Sequence, residues 1–235
     1  MTDALQKKPS EQLPFDFPIF TSQSFDDFAI GECNADAVKH LKMWPNWQHH
    51  GLIIVGPNYC GKTHLLQSFK KLTGGLVLHP EKLPEIDVLL TELDKSRPIV
   101  LIDNAHDITN ETALFHIFNS LKEIDGWLLL TSSKPPQQWN VQLPDLSSRL
   151  ISVPVVKILS PDEGLLKAVL IKQFADRQLM VNDTVINFLI TRMERSFEGV
   201  QRLVDYLDKA ALLKGKNITV PLAREVIKSY DEKYS

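Results

Sequence analysis

A phosphate-binding loop is predicted at residues 56–63, which are Gly56-Pro57-Asn58-Tyr59-Cys60-Gly61-Lys62-Thr63. The spacing fits the pattern G-x-x-x-x-G-K-[ST]. The apolar run at 52–55 predicts a buried strand before the loop, and helical spacing follows it. Glycines let backbone N–H groups turn inward around phosphate oxygens, and the helix N-terminus adds a positive dipole end. We therefore expect Lys62 to reach the β- and γ-phosphates of a nucleotide and Thr63 to hold Mg²⁺ through its hydroxyl.

Strands and helices alternate up to residue 156, which predicts an α/β fold: a parallel sheet covered by helices on both faces. The predicted strands are 52–55, 76–79, 99–102, 127–131 and 153–156. The predicted helices among them are 35–44, 61–72, 85–94, 110–123 and 143–151. After Pro161 only helical spacing remains, at 162–178, 184–195, 197–214 and 221–234. We predict a flexible tail at 1–20, an αβα nucleotide-binding base at 21–158 and a small helical lid at 159–235.

The composition argues against several classes of protein. The formal net charge is −3, whereas a domain held to DNA chiefly by its own charge is usually basic. No apolar stretch approaches the ~18 residues of a membrane span, and the polar N-terminus lacks a signal-peptide core. The two cysteines, Cys33 and Cys60, make no disulfide framework. These features predict a cytoplasmic protein without membrane attachment.

A second nucleotide motif is predicted at Ile99–Asp103, an apolar strand that ends in a carboxylate. It follows the phosphate loop by about 40 residues and fits the Walker B pattern, in which Asp103 would hold Mg²⁺ through water beside Thr63. Hydrolytic AAA+ ATPases usually carry a second acid at the next position, where this chain has Asn104. An amide can orient water but is a poor proton acceptor, so general-base assistance is lost.

The chain resembles the DnaA family of AAA+ proteins, above all its shorter regulatory members, over residues 21–233. Besides the phosphate loop, the resemblance is carried by residues 24–31 (SFDDFAIG), 130–136 (LTSSKPP), 146–150 (LSSRL) and 217–220 (NITV). It implies a P-loop AAA+ αβα sandwich followed by an α-helical lid. It also implies that ADP or ATP is the ligand, bound with Mg²⁺.

The resemblance places further residues at the nucleotide. Phe28, Ile30 and Gly31 would lie near the adenine, although plain core packing of Phe28 and Ile30 is the open alternative. His64 and Ser133 would join the nucleotide contacts. By the same resemblance, Arg149 would project toward a nucleotide held by a neighbouring subunit and stabilise charge on the transferring phosphoryl group as an arginine finger. A solvated arginine at a helix end is the alternative for Arg149.

The sequence departs from the family pattern at several positions. The phosphate-contacting lid arginine called sensor 2 falls at Glu198, with Arg195 and Arg202 as the candidate substitutes. The interval between the phosphate loop and Ile99 is too short for the DNA-contacting insert of DnaA. The sequence also ends where DnaA continues into its helix-turn-helix domain. We therefore expect no direct sequence-specific DNA binding.

A docking motif is predicted in the tail, where Gln12-Leu13-Pro14-Phe15-Asp16-Phe17 fits Q-L-x-Φ-x-Φ. It resembles the motif by which proteins bind the sliding clamp of DNA polymerase III, its beta subunit. Regulatory members of the DnaA family carry their clamp motif in the same place. Gln12, Leu13, Phe15 and Phe17 would make the clamp contacts. The alternative is a tail that folds back and buries Phe15 and Phe17 in its own domain.

These observations favour a regulator that inactivates the replication initiator DnaA. Bound to the clamp, it would stimulate hydrolysis of DnaA-bound ATP and so prevent reinitiation, while being at most a weak ATPase itself. DnaA and the clamp are the expected partners, and self-association into a homo-oligomer stays open. Two alternatives remain: an autonomous AAA+ ATPase or clamp-loader-like motor, and a non-catalytic adaptor tethered to the clamp.

Overall fold

A computed structural model of the chain describes residues 28–94, 96–215 and 217–234. Five parallel strands form one sheet in the order β2-β3-β4-β1-β5. Their bounds are β1 Gly51–Val55, β2 Leu76–Leu78, β3 Ile99–Ile102, β4 Trp127–Ser132 and β5 Val155–Lys157. This parallel sheet confirms the predicted α/β class. Its strands β1 and β3 are apolar throughout because they are buried on both faces.

Helices cover both faces of the sheet in the αβα base. Their bounds are α1 Ala35–Lys42, α2 Lys62–Thr73, α3 Ile86–Glu92, α4 Glu111–Glu123 and α5 Pro144–Ser152. Successive residues of β1 enter opposite cores: Leu52 and Ile54 pack with α1 and α2, whereas Ile53 and Val55 pack with α3, α4 and α5. The period-two alternation of strand side chains thus supplies two hydrophobic layers from one apolar run.

The lid consists of helices that follow β5, with a hydrophobic core of their own. Their bounds are α6 Glu163–Asp176, α7 Asp183–Ile190, α8 Phe197–Lys214 and α9 Val220–Tyr234. Two buried lid residues, Leu165 and Phe197, instead belong to the core between the sheet and α1–α2. These two side chains therefore hold the lid against the αβα base.

Cap residues explain several of the helix starts. Asn110, Asn182 and Ser196 each accept a hydrogen bond from the backbone N–H three residues on, as an N-cap does. Asn34 precedes α1 and is a residue type that often caps helices, but its side chain accepts from Gly31 N and donates to Ala29 O. It thus shapes the segment before the helix rather than its first turn.

Several element boundaries differ from the sequence prediction, with the largest difference at the end of α7. The fifth strand begins at Val155 rather than at Val153, which packs in the core just before it. Helix α7 ends at Ile190 rather than Arg195, and a turn follows in which Arg192 N donates to Leu189 O. Within the described residues, no helix is both long and apolar enough to traverse a membrane.

Candidate nucleotide site

The phosphate loop joins β1 to α2, and both of its glycines stand where a Cβ atom would clash with neighbouring side chains. Gly61 has φ +91°, and a Cβ there would meet Cε2 of Phe28 at 2.5 Å. A Cβ on Gly56 would lie 2.7 Å from Cys60 Sγ and 2.9 Å from Ile158 Cβ. Tyr59 also has positive φ, at +62°, which is rare for an aromatic residue and common at binding sites. The loop backbone is therefore fixed in a shape that most side chains would disrupt.

Lys62 is buried at the first position of α2. Its ammonium donates to two carbonyls of its own loop, Gly56 O at 2.9 Å and Pro57 O at 2.8 Å. Buried charges need such partners, because an uncompensated one is costly. A phosphate group is an ionised and hence stronger acceptor than a neutral carbonyl. The side chain is thus held inside the loop where an incoming phosphate could take over its hydrogen bonds.

The strand order brings a hydroxyl and carboxylate cluster to the loop. Because β1, β4 and β3 are neighbours, their carboxyl ends lie side by side. Asp103 follows β3 and accepts from Thr63 Oγ1 at 2.6 Å, while its other oxygen accepts a hydrogen bond from Thr131 of β4. These are hard oxygen ligands of the kind Mg²⁺ prefers, and Mg²⁺ usually takes only one or two carboxylates plus water and phosphate. Thr63 and Asp103 therefore fit the predicted metal role.

The thiol of Cys60 lies buried inside the loop. Burial raises its pKa above the usual value, and this effect outweighs the opposing influence of the Lys62 charge. Its Sγ is 4.0 Å from Lys62 Nζ. A neutral thiol is a poor nucleophile, so the geometry favours a packing role for Cys60.

Asn104 and Ser133 stand at the ends of neighbouring strands. Asn104 has φ +51°, a conformation that asparagine tolerates, and its N–H donates to Thr131 Oγ1 at 3.0 Å. Ser133 Oγ lies 2.9 Å from Nε2 of His106. The sequence interpretation missed His106, since no local pattern links it to a serine 27 positions away.

A cleft lies between the αβα base and the lid, with a volume of about 190 Å³. We call it the base–lid cleft. From the base it is lined by Phe28, Ala29, Asn34, Tyr59, Cys60, Gly61 and His64, and from the lid by Val169, Lys172, Gln173, Asp176 and Phe197. The rings of Phe28 and His64 are 5.6 Å apart. Typical ligand sites are ~300–1,000 Å³, so we expect the lid to shift outward when a nucleotide enters.

The three residues expected near adenine occupy different positions. Phe28 is both buried in the core and part of the cleft wall, so the two interpretations of this residue are compatible. Ile30 is 52% exposed, and neither it nor Gly31 is among the residues that line the cleft. A Cβ on Gly31 would lie 3.1 Å from Leu165 Cδ2, so Gly31 lets the lid approach closely.

Arg149 lies on α5, away from the cleft of its own chain. Its Cζ atom is 5.1 Å from the ring centroid of Phe115 and 5.9 Å from that of Phe118, both on α4. Such cation–π contacts hold a guanidinium in place without using its hydrogen-bond donors. Arg149 is therefore oriented by packing and keeps donors available.

The candidate lid arginines are engaged within the lid. Arg195 pairs with Glu163 at 3.0 Å and is 71% exposed. Arg202 pairs with Glu198 at 2.7 Å, so the residue at the sensor 2 position is itself a partner of an arginine. Neither arginine lines the base–lid cleft.

The sequence also predicts a clamp-docking motif and a magnesium site. The clamp residues Gln12, Leu13, Phe15 and Phe17 lie outside the described part of the chain. Among the residues that the structure describes, there is no group of three or more His, Cys, Asp or Glu side chains arranged to hold a metal. A magnesium ion at Thr63 and Asp103 would thus depend on nucleotide and water for its other ligands.

The phosphate loop, the strand-end carboxylate, the strand order and the helical lid together define the AAA+ class of P-loop proteins. A family model described as "Hda, lid domain" matches residues 162–227. An uncharacterized protein of Haemophilus influenzae is 30% identical over 74% of this chain and 80% of that protein. The chromosomal replication initiator protein DnaA of Campylobacter jejuni is 26% identical over 91% of this chain and 53% of that protein. The chain thus spans about half the length of these DnaA relatives.

Solved structures agree on the fold. Domain III of the Thermotoga maritima replication initiation protein DnaA superposes with a TM-score of 0.73 at 23% identity, covering 91% of this chain and 98% of that one. AMPPCP-bound DnaA from Aquifex aeolicus gives a TM-score of 0.65 at 21% identity, covering 90% and 69%. The chain belongs to the Hda/DnaA-related AAA+ proteins.

Proposed function

We propose that this protein inactivates the replication initiator DnaA by stimulating hydrolysis of the ATP that DnaA holds. It binds ADP or ATP with Mg²⁺ in its own phosphate loop and docks on the beta subunit of the sliding clamp. Binding to clamp that is already loaded on DNA would restrict inactivation to origins that have fired. The cytoplasm, where replication proceeds, is the corresponding location.

Nucleotide binding is supported by the geometry of the loop. Lys62 is buried against loop carbonyls, and Thr63 is joined to Asp103 at 2.6 Å. These are the phosphate and metal positions that a P-loop needs. A related solved structure, DnaA from Aquifex aeolicus, was determined with AMPPCP bound.

The position of Arg149 carries the proposal that the catalytic effect is on a neighbour. The guanidinium is held over Phe115 and Phe118 on the α4–α5 side, and none of the described residues that line the cleft belongs to α5. An arginine held on this side of its own subunit could reach a nucleotide bound by an adjoining AAA+ subunit. In GTPases an arginine supplied in trans is worth ~10³–10⁵ in rate. We expect less here, because DnaA keeps its own catalytic residues.

Weak hydrolysis by the protein itself is supported by two features. Asn104 replaces the usual acid beside Asp103 and cannot act as an efficient general base. Arg195 and Arg202 are both engaged in ion pairs with the lid carboxylates of Glu163 and Glu198. The bound nucleotide would then stabilise the fold by mass action rather than being turned over.

The experiment measures hydrolysis of DnaA-bound ATP in the presence of clamp loaded on DNA, with and without this protein. Arg149→Ala should remove most of the stimulation while leaving folding, ADP binding and clamp binding unchanged. Arg192→Ala is the matched control, because Arg192 also packs over a phenylalanine, 4.2 Å from the Phe188 centroid, but lies in the lid. It should stimulate like the parent protein.

The outcomes separate the three interpretations. Stimulation that is lost only with Arg149→Ala supports the regulator. Full stimulation by Arg149→Ala leaves the clamp-tethered adaptor. Rapid ATP turnover by the purified protein without DnaA, at the ~1–100 s⁻¹ of typical phosphoryl-transfer enzymes, would establish the autonomous motor instead.

A further inference from the structure

The lid wall of the base–lid cleft presents one ion pair. Lys172 Nζ donates to both carboxylate oxygens of Asp176, at 3.1 and 3.0 Å, on the same face of α6. Both residues line the cleft. The pair is thus the charged group that the lid brings to this site, in contrast to Arg195 and Arg202, which do not line it.

The ion pair faces the nucleoside end of the site. The loop residues that line the cleft are Tyr59, Cys60 and Gly61, at the outer bend of the phosphate loop. Lys62, Thr63 and Asp103, which mark the β- and γ-phosphates and the metal, do not line it. A nucleotide with its phosphates at Lys62 would therefore place its ribose and nucleobase in the cleft, against Phe28 on one side and α6 on the other.

Asp176 is the only carboxylate among the described residues that line the cleft, and it has acceptor capacity to offer. The neighbouring Gln173 is already engaged, because it donates to Gln201 Oε1 at 2.7 Å and accepts from Arg177. A carboxylate has about four acceptor positions, and Lys172 occupies two of them in the observed geometry. Ribose hydroxyls donate hydrogen bonds, and carboxylates accept such bonds from ribose in dinucleotide-binding proteins.

We propose that Asp176, held in place by Lys172, accepts hydrogen bonds from the ribose hydroxyls of the bound nucleotide. This inference rests on the proposed nucleotide binding and adds to it a preference for ribonucleotides over deoxyribonucleotides. It also gives the lid a contact with the ligand at the sugar. Nucleotide binding then fastens α6 to the phosphate loop through the sugar, without a lid arginine on the phosphates.

Calorimetric titration of the full chain with ADP, 2′-deoxy-ADP and 3′-deoxy-ADP tests the proposal. Because Asp176 is 58% exposed, water competes for its oxygens, and we expect roughly a 3–10-fold preference for ADP over at least one deoxy analogue. Asp176→Ala should abolish the preference, and Lys172→Met should reduce it. Glu225→Ala is the matched control, since it breaks another lid ion pair, 2.6 Å from Lys214 Nζ, and Glu225 does not line the cleft.

The possible results distinguish failure of the ribose contact from failure of nucleotide binding. Equal affinities of the parent protein for ADP and both deoxy analogues would overturn the ribose contact and leave nucleotide binding intact. A preference that survives Asp176→Ala would also overturn it. Absence of binding to ADP and to ATP would instead contradict the proposed function itself. Circular dichroism of each variant verifies that the helices are retained.

Discussion

Polar side chains are organised differently in the αβα base and in the lid. In the base, the contacts join residues far apart in sequence: Thr63 with Asp103, Asp103 with Thr131, and Ser133 with His106. In the lid, charged residues pair with one another, some within one helix (Lys172 with Asp176, Arg202 with Glu198) and others between helices, such as Arg177 at the end of α6 with Asp205 of α8. The base therefore assembles its site from several elements in and around the sheet, whereas most charged side chains named in the lid form ion pairs with other lid residues.

This difference indicates that the base and the lid have separate tasks in the nucleotide site. In the base, Thr63, Asp103 and Thr131 are each fixed by a partner on a different element that packs on or in the buried sheet. Pairs of partly exposed charges within one helix contribute little to stability, typically ~0.3–0.5 kcal/mol. We infer that the base determines whether phosphate binds and that the lid responds to the bound ligand.

The largest expected effect is a change of glycine in the base. Gly61→Ala should destabilise the fold by about 2–5 kcal/mol, since it adds left-handed strain and a clash with Phe28 at 2.5 Å. Gly215→Ala in the lid is the matched control: φ is +57°, but a Cβ would meet nothing within 4 Å. Its cost should be about 1–2 kcal/mol. Urea unfolding measures the stability of both variants. Equal losses of unfolding free energy would show that the phosphate loop tolerates a Cβ as well as the end of α8 does.

The next effect concerns the phosphate cation. Lys62→Ala should weaken ADP binding by about 2 kcal/mol, or roughly 30-fold, because it removes charge-assisted hydrogen bonds to phosphate. Lys70→Ala, an exposed lysine in the last turn of the same helix, should leave the affinity unchanged. Titration calorimetry gives both values. Unchanged affinity in the Lys62 variant would mean that the ligand is held by the cleft rather than by the loop.

Much of the fold was predictable because its signals are local. Apolar runs marked every strand of the sheet, and Asn110, Asn182 and Ser196, residue types that favour N-cap positions, stand where their side chains do cap. Asn34 carried the same signal yet turns back to Ala29 and Gly31. Its case differs because the preceding segment approaches the lid, a tertiary contact that no short pattern contains.

The candidate site was predictable only where a motif spans it. The loop residues and Asp103 follow fixed spacings, so their neighbourhood could be expected. Lys172 and Asp176 were missed, since a lysine four residues from an aspartate is typical of any solvated helix face. Their place in the cleft depends on how α6 packs against Phe28 and Gly31, through Leu165. That information resides in the assembled layers and not in the spacing.

The smallest expected effect would come from the lid arginines, and it examines the contrast most directly. Arg195→Ala and Arg202→Ala should each change ADP affinity by less than about threefold, because both side chains are engaged with lid carboxylates. Their loss should cost stability about 1 kcal/mol or less, as is usual for partly exposed ion pairs. Affinity is measured by titration calorimetry and stability by urea unfolding. A tenfold or greater loss of affinity for either variant would mean that the lid rotates on binding and delivers that arginine to phosphate. The lid would then act on the phosphates as well as on the sugar, and the division of tasks between the two regions would fail.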